Sequence, residues 1–294
     1  MKIQPLPARE WIERAFVALL FIAVGALIMI VFSPLRPLFD KGPERVWDYL
    51  GRIALVAALL AAALLLWRSR SPRYAKYTPV AVGLLIMAGV VSLDRIIGVY
   101  LLVYLAVDGN TPAGFALLKL NEAAVVVVAV VLLTRLSGGS LGSIYLQQGN
   151  LKLGLIIGVA AFCLAALGSF PMSALLFKGE NLTLARVMPW LGWLLIFVLA
   201  NATQEELLFR GLFLRKLEPF YGRFLSNLLI VFVFTGLHQG ATYTSDQYLF
   251  LVVLLPLALA WGYIMQKTDS LWGSALFHAG MDIPIMLGIF ANLP

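Results

Sequence analysis

The stretch VMPWLGWLLIFVLANATQEELLFR, residues 187–210, decides how the rest of the chain is interpreted. Its first part is apolar for long enough to cross a membrane as a helix, since about 20 such residues span the hydrocarbon core. Its end places Glu205, Glu206 and Arg210 in the same apolar run. Ionisable groups inside a membrane are costly, so a cluster of this kind indicates a functional site.

The composition of the whole chain has the same apolar character. Of the 294 residues, 61% are hydrophobic and 13% are charged, and the mean hydropathy is +0.91. These values predict an all-α integral membrane protein, a polytopic helical bundle in the lipid bilayer. The net charge of +7 comes mainly from Lys and Arg in short loops between apolar runs. That distribution is typical of membrane helices and argues against nucleic-acid binding.

The apolar runs predict about eight or nine transmembrane helices. The expected spans are 15–33, 50–67, 78–107, 113–134, 152–170, 187–209, 225–241, 248–266 and 271–291. Asp94 and Arg95 interrupt the third span. If this span crosses once, most Lys and Arg lie on the side of the N-terminus, whereas two crossings reverse that bias. We therefore predict one long, tilted or locally broken element and a cytoplasmic N-terminus.

Three further features bear on the organisation of the chain. Lys2, Arg9 and Arg14 precede an apolar stretch that is long for a signal peptide, so we predict a retained first helix. The Gly- and Ser-rich segment 136–143 is flexible by composition. It suggests a division into N-terminal helices of unknown role (1–150) and a helical catalytic core (151–294). Cys163 is the only cysteine, which excludes an intramolecular disulfide.

Charged residues also occur in the predicted N-terminal spans. Asp94 with Arg95, and Lys119 with Glu122, are expected to pair with each other or to extend towards the membrane interface. A substrate or ion pathway is the alternative that we favour less.

The two histidines of the chain, His238 and His278, lie in apolar runs further along. Residues four apart share a helix face, so Glu206 and Arg210 should form an ion pair, leaving Glu205 to face a reacting group as a general base. Asp282 follows His278 by four residues and could fix its tautomer or belong to an oxyanion site. Small residues nearby predict close helix packing, namely Gly236, Gly240, Ala275, Ala279 and Gly280.

His238 lies further along its predicted helix than His278 does, at 1.5 Å per residue. The two rings can share a site only if the helix of His238 is tilted or begins outside the hydrocarbon. A purely structural interpretation also exists, in which each histidine bonds a neighbouring helix and Glu206 with Arg210 is a buried brace.

Three motifs in this order resemble those of a known family. They are similar to the motifs of the CPBP family, and they are E-E-x-x-x-R at Glu205 to Arg210, F-x-x-x-H at Phe234 to His238 and H-x-x-x-D at His278 to Asp282. That family comprises the type II CAAX prenyl proteases and abortive-infection-like membrane proteins. The resemblance covers residues 187–290 and implies an all-helical intramembrane endopeptidase that acts on a membrane-tethered or lipidated protein or peptide.

The resemblance also implies roles for individual residues. Glu205 would activate the hydrolytic water and His238 would help to hold it, while His278 and residue 282 would stabilise the oxyanion. Glu206 and Arg210 would support this geometry, and Phe234 belongs to the second motif. The prenyl proteases have Asn where this chain has Asp282, and a charged Asp cannot donate to an oxyanion. The candidate catalytic residues are therefore Glu205, Glu206, His238, His278 and Asp282, with Arg210 and Phe234 in support.

The cofactor is open at this level. Family members are commonly labelled metalloproteases, and Glu205, His238 and His278 would be plausible zinc ligands. The chain lacks H-E-x-x-H, however, and has no carboxylate beyond Glu206 to act as base once Glu205 is a ligand. We favour a metal-free water held by Glu205 and His238.

Two other functions fit the same residues. Intramembrane carboxylates and histidines can form the path of an ion- or proton-coupled transporter, and a non-catalytic immunity or partner protein could retain the cluster as structure. The expected location is the bacterial cytoplasmic membrane.

Overall fold

A computed structural model describes residues 8–33, 44–69, 71–98 and 100–293. All regular elements in these ranges are helical, which confirms the predicted all-α fold. The longer helices are α1 (Ala8–Ala26), α2 (Arg45–Arg68), α3 (Thr78–Ile97), α4 (Pro112–Leu136), α5 (Leu151–Leu167), α6 (Ser169–Leu176), α7 (Leu191–Glu205), α8 (Leu212–Leu237), α9 (Gln247–Thr268) and α10 (Trp272–Ala291). Short helical segments are Leu27–Val31, Pro72–Ala75, Tyr100–Leu105, Leu141–Ile144, Leu184–Val187, Met188–Trp190 and Glu206–Gly211.

Within the described residues, seven helical runs are long and apolar enough to cross a membrane, or eight if α5 and α6, bent by 64°, count as one span. The predicted span 187–209 and the greater part of the predicted span 225–241 fall in one run, Leu184–Leu237. Gly222 interrupts that run with a φ of 71° and a ψ of 176°. Glycine adopts this conformation without the steric cost of a Cβ atom, so it separates the two predicted spans.

The predicted span 78–107 forms part of a single candidate span, Pro72–Leu105. The helical pattern is interrupted after Ile97, and Asp94 and Arg95 both lie inside α3. Val99 lies outside the described residues. Lys2, which precedes the predicted first helix, also lies outside them. The span 78–107 is therefore locally broken as predicted, but the break follows Ile97 and does not lie at Asp94 and Arg95.

The charged residues of the N-terminal helices are only partly paired as predicted. Lys119 donates to Glu122 over 2.6 Å, which confirms that pair. Arg95, in contrast, lies 3.9 Å from Asp48 of α2, which also pairs with Arg52 at 3.0 Å. Of the two arrangements expected for Asp94 and Arg95, mutual pairing is wrong, because the second helix supplies a carboxylate for Arg95.

The predicted loop 136–150, of which 136–143 is expected to be flexible, is fixed at its C-terminal end to the turn between α9 and α10. The backbone N–H of Leu271 donates to the Tyr145 carbonyl over 3.0 Å, and that of Asn150 donates to the Thr268 carbonyl over 2.6 Å. Tyr145 is buried beside this turn. These bonds and the buried ring order the C-terminal part of the loop, whereas the backbone bonds of residues 137–139 are local ones to the end of α4.

Glycines allow α5 and α10 to pack closely. A Cβ atom on Gly273 would lie 2.7 Å from the Cα atom of Gly154, and one on Gly280 would lie 2.7 Å from Cα of Phe162. Gly280 therefore has the packing role predicted for it. Gly236 and Gly240 do not, since no atom lies within 4 Å of a Cβ built on either. Because α10 and α4 both also pack on α7, the end of α7 is surrounded by helices from both halves of the chain.

Candidate active site

The adjacent carboxylates Glu205 and Glu206 occupy different environments. Glu205 ends α7, and a π-helical turn over Glu206–Gly211 follows. The Glu206 side chain is fully buried and accepts a hydrogen bond from Arg210 Nη1 over 2.6 Å. The Glu205 side chain is 22% exposed and lines a cavity. This is the arrangement expected from their spacing, with one carboxylate in an ion pair and the other facing open space.

Arg210 is held in place by contacts on several sides. Its Nη2 donates to the Ala258 carbonyl of α9 over 3.2 Å. Its guanidinium lies 4.7 Å from the ring centroid of Phe234 and 5.3 Å from that of Trp261. A buried charge needs a partner of this kind, and the planar guanidinium also stacks on aromatic rings. Arg210 therefore fixes Glu206 behind the cavity wall.

Glu206 in turn orients His278. Its Oε1 lies 3.0 Å from Nδ1 of His278, and its Oε2 accepts from the Ser274 hydroxyl over 2.5 Å. The imidazole stacks on Trp261 with ring centroids 3.9 Å apart. The spacing in the sequence allows Asp282 to fix the tautomer of this ring. Glu206 occupies that position instead, because the π turn brings its carboxylate against α10.

Asp282 lies on the opposite side of the His278 ring. Its Oδ1 is 3.6 Å from Nε2 of His278, and Nε2 is also 3.7 Å from Oε2 of Glu205. The second oxygen, Oδ2, accepts a hydrogen bond from Nδ2 of Asn201 over 3.0 Å. Asn201 precedes Glu205 by four residues on α7 and lines the same cavity. We did not predict Asn201, although its spacing from Glu205 places it on the same helix face.

His238 lies at the C-terminal end of α8. Its Nδ1 is 2.8 Å from the Phe234 carbonyl oxygen, and the Phe234 ring lies 4.6 Å from the imidazole, centroid to centroid. A carbonyl oxygen only accepts, so Nδ1 carries the hydrogen and the neutral ring presents Nε2 as an acceptor. The Gln247 side chain donates to the His238 carbonyl over 3.1 Å, which fixes the end of the helix.

These residues line a common cavity of about 550 Å³. Glu205, His238, His278 and Asp282 are all on its wall, as is Phe234. Glu206 and Arg210, although grouped with the site by sequence, are buried behind the wall. Both histidines therefore line one cavity, whose wall here is built by the ends of α7 and α8 and the middle of α10.

Tyr243, in the loop before α9, also lines the cavity and was not predicted. Burial, together with the negative charges of Glu205 and Asp282, raises the pKa of the Tyr243 phenol. The hydroxyl therefore remains protonated near neutral pH and is available as a hydrogen-bond donor. Its place in a loop between helices leaves no periodic signal in the sequence.

The geometry does not fit the proposed zinc ligands. Within the described ranges, no group of three or more His, Cys, Asp or Glu side chains is placed to hold a metal ion. Zinc requires its ligand atoms at about 2.0–2.3 Å in a near-tetrahedral arrangement. As the side chains are placed in the described residues, Glu205, His238 and His278 do not form such a group.

The fold and the cavity together define a polytopic helical membrane protein with a carboxylate- and histidine-lined site between its helices. Residues 186–284 match the family model described as type II CAAX prenyl endopeptidase Rce1-like. This match confirms the resemblance drawn from the three motifs, all of which fall inside the matched residues. At the level of the family it supports an intramembrane endopeptidase. Neither a curated protein nor a solved structure matches the chain significantly.

Proposed function

We propose that this protein hydrolyses a peptide bond in a membrane-tethered protein or peptide, using a water molecule activated by Glu205. The observation that carries the proposal is the convergence of Glu205, His238, His278 and Asp282 on one cavity between membrane helices. A general base, a second water ligand and groups for an oxyanion are the parts that acyl transfer to water requires.

Two acceptors can hold the water. His238 donates from Nδ1 to the Phe234 carbonyl, so its Nε2 accepts one hydrogen of the water. The Glu205 carboxylate accepts the other hydrogen. With both hydrogens engaged, a lone pair of the water oxygen is left to attack the carbonyl carbon of the substrate.

The reaction then proceeds in two proton transfers. Glu205 takes a proton as the water oxygen bonds to the carbonyl carbon, and the carbonyl oxygen becomes an oxyanion. Glu205 returns the proton to the amide nitrogen, the C–N bond breaks, and an amine and a carboxylic acid are released. One water is consumed and Glu205 is regenerated.

Asn201 supplies an oxyanion donor that Asp282 lacks. An ionised carboxylate has no hydrogen to donate, whereas the Asn201 amide has two. One of them binds Oδ2 of Asp282, which leaves the second for the oxyanion. His278 also donates from Nε2 in its imidazolium form. In this proposal Asp282 orients the two donors, and the departure from the family's Asn at this position is compensated by Asn201.

The proposal can be tested by a search for cleavage products. Purified protein in phosphatidylcholine vesicles would be incubated with a panel of farnesylated, geranylgeranylated, acylated and single-span peptides, and new termini would be identified by mass spectrometry. We expect at least one peptide to be cleaved by the wild type and by Glu180→Gln, a control at an exposed carboxylate. Ion flux in the same vesicles without cleavage of any peptide would contradict the proposal and favour transport.

We propose further that the N-terminus faces the cytoplasm of a bacterial cell, on the basis of the Lys and Arg distribution. A reporter that is active only outside the cytoplasm should stay inactive when fused to the N-terminus. Activity of that fusion would overturn this orientation.

A further inference from the structure

The N-terminal helices contribute a polar cluster to the cavity. The cluster consists of Asp94 on α3, Lys119 and Glu122 on α4 and Gln204 on α7, and all four residues line the cavity that contains Glu205. Lys119 donates to Oε2 of Glu122 over 2.6 Å, and the Gln204 amide donates to Oε1 over 2.8 Å. Both oxygens of Glu122 are therefore engaged within the cluster.

Two other acceptors of the polar cluster have no donor. Asp94 is 7% exposed and Gln204 is 3% exposed. Oδ1 of Asp94 and Oε1 of Gln204 have no hydrogen-bond partner in the part of the chain that the structure describes. Buried acceptors are rarely left unpaired in native proteins. Both residues are on the cavity wall, so a donor that binds in the cavity can pair with these oxygens once the side chains rotate towards it.

The charge around these acceptors is unbalanced. Lys119 is the one cation of the polar cluster, and its ammonium interacts electrostatically with both carboxylates of the cluster, Asp94 and Glu122, and with Glu205. Glu205 also interacts with Arg210 and His278, so the excess of negative charge lies in the cluster itself. Arg52 also acts on Asp94, but its guanidinium is bound to Asp48 at 3.0 Å. A second cation in the cavity would both donate to the free acceptors and reduce this excess of negative charge.

We propose that the polar cluster is a subsite for a cationic side chain, Lys or Arg, of the substrate, close to the bond that is cleaved. The inference rests on the proposed function and adds a substrate class to it. An ammonium or guanidinium group carries several N–H donors and no acceptor, which matches two unpaired acceptors in a negatively charged wall. The N-terminal helices then determine which substrates are cleaved, while the C-terminal helices carry the chemistry.

The subsite predicts a preference that can be measured on matched substrates. Internally quenched, lipid-anchored peptides would differ only by a Lys, norleucine or Glu placed at each of three residues on either side of the cleaved bond. At one position we expect Lys to raise kcat/KM about tenfold over norleucine, the effect of one charge-assisted hydrogen bond, and Glu to lower it. Phosphatidylcholine vesicles avoid the enrichment of cationic peptides at an anionic surface.

Variants assign the preference to the polar cluster. Asp94→Asn should reduce the ratio of kcat/KM for the Lys and norleucine peptides to about one, and Asp94→Lys should make the Glu peptide the better substrate. Asp108→Asn, in a loop away from the cavity, should keep the wild-type ratio. Absence of any Lys preference in the wild type would overturn the subsite, as would a preference that Asp94→Asn retains.

Failure of the subsite can be separated from failure of the proposed function. Glu205→Gln should cleave none of the peptides. Cleavage that depends on Glu205 but shows no preference for Lys overturns the subsite alone. Cleavage by Glu205→Gln at the wild-type rate overturns the proposed function and, with it, the subsite.

Discussion

Nδ1 of His238 lies 2.8 Å from the carbonyl oxygen of Phe234, whereas Nδ1 of His278 lies 3.0 Å from a carboxylate oxygen of Glu206. The first contact leaves His238 with an acceptor at Nε2. The second connects His278 to the buried Glu206–Arg210 pair, and its Nε2 lies between Glu205 and Asp282. In our account His238 holds the water and His278 acts on the oxyanion.

Replacement of Asn201 by Ala tests the oxyanion donor. We expect kcat to fall by about 10² to 10³, the usual loss for one oxyanion donor, because the interaction strengthens in the transition state. KM should change by less than about threefold. Both constants would be measured on a peptide that the wild type cleaves.

The matched control for this variant is Gln239→Ala. Gln239 is another amide on the wall of the cavity, and it is exposed, so its loss should leave kcat near the wild-type value. Equal kcat values for Asn201→Ala and the wild type would show that Asn201 does not contact the oxyanion.

Replacement of Arg210 should lower the free energy of unfolding. Arg210→Met leaves the Glu206 carboxylate buried without its cation, since both side chains are fully buried. Removing one member of a buried ion pair costs about 3–5 kcal/mol, and we expect a loss of that size in the free energy of unfolding. Arg135→Met, at an exposed position, should change it little.

The double variant Glu206→Gln with Arg210→Met separates charge from packing. It should recover part of the lost stability, because no unpaired charge then remains. If Arg210→Met unfolds at the same denaturant concentration as the wild type, the pair has no structural role.

The sequence predicted some residues of the candidate site and missed others for a physical reason. Glu205, His238, His278 and Asp282 occur in motifs with fixed spacing on apolar runs, and this local signal places them on helix faces. Asn201 has a local signal, since it precedes Glu205 by four residues, but its contact with Asp282 depends on how α7 packs on α10. Tyr243 lies in a loop, and no local pattern places it on the cavity wall.

At the scale of the helices, the π turn at Glu206–Gly211 is the feature that positions the two carboxylates. A π turn inserts an extra residue into the helix and is frequent at functional sites. Here it lies where α7 meets α9 and α10, and it directs Glu206 towards His278 while Glu205 stays on the cavity wall.

Close packing of α5 on α10 gives a prediction at this scale. In Gly273→Ala the new Cβ would lie 2.7 Å from Cα of Gly154, so the two helices must separate. We expect a loss of about 1–3 kcal/mol in the free energy of unfolding, measured by denaturant titration in detergent. Gly192→Ala, where no atom lies within 4 Å of the Cβ, is the control. Equal free energies of unfolding for the two variants would mean that α5 and α10 are not in close contact at Gly154 and Gly273.

Hydropathy located the apolar runs but not how they are joined. The predicted span 187–209 and the greater part of the predicted span 225–241 belong to one helical run with a break at Gly222. The segment 136–143 is rich in Gly and Ser and its backbone hydrogen bonds are local, whereas Tyr145 and Asn150, just after it, are held by backbone bonds to the turn between α9 and α10. Run length and composition report local preference, and tertiary contacts override both.

At the scale of the whole molecule, both halves of the chain build the cavity. Asp94, Lys119 and Glu122 come from the N-terminal helices and Glu205 from the matched C-terminal region. Residues on both sides of the predicted boundary near residue 150 therefore line this cavity. The sequence favoured simple pairing for Asp94, Lys119 and Glu122, but these charged residues line the same cavity as Glu205.

The proposed mechanism predicts that activity does not depend on a metal. Treatment with EDTA and 1,10-phenanthroline should leave kcat/KM within about twofold of the untreated value, because Glu205 acts as a base rather than as a ligand. Metal analysis of the active protein should give well below one zinc per chain. Loss of activity on chelation that returns with added zinc would contradict this mechanism.

The central claim is that Glu205 activates the hydrolytic water, and the cleavage rate of Glu205→Gln tests it most directly. The variant keeps the shape of the side chain but removes the base. In vesicles, on a peptide cleaved by the wild type, we predict a rate lower by about 10² to 10⁴, with an unchanged unfolding midpoint. A rate within about threefold of the wild type would contradict the claim.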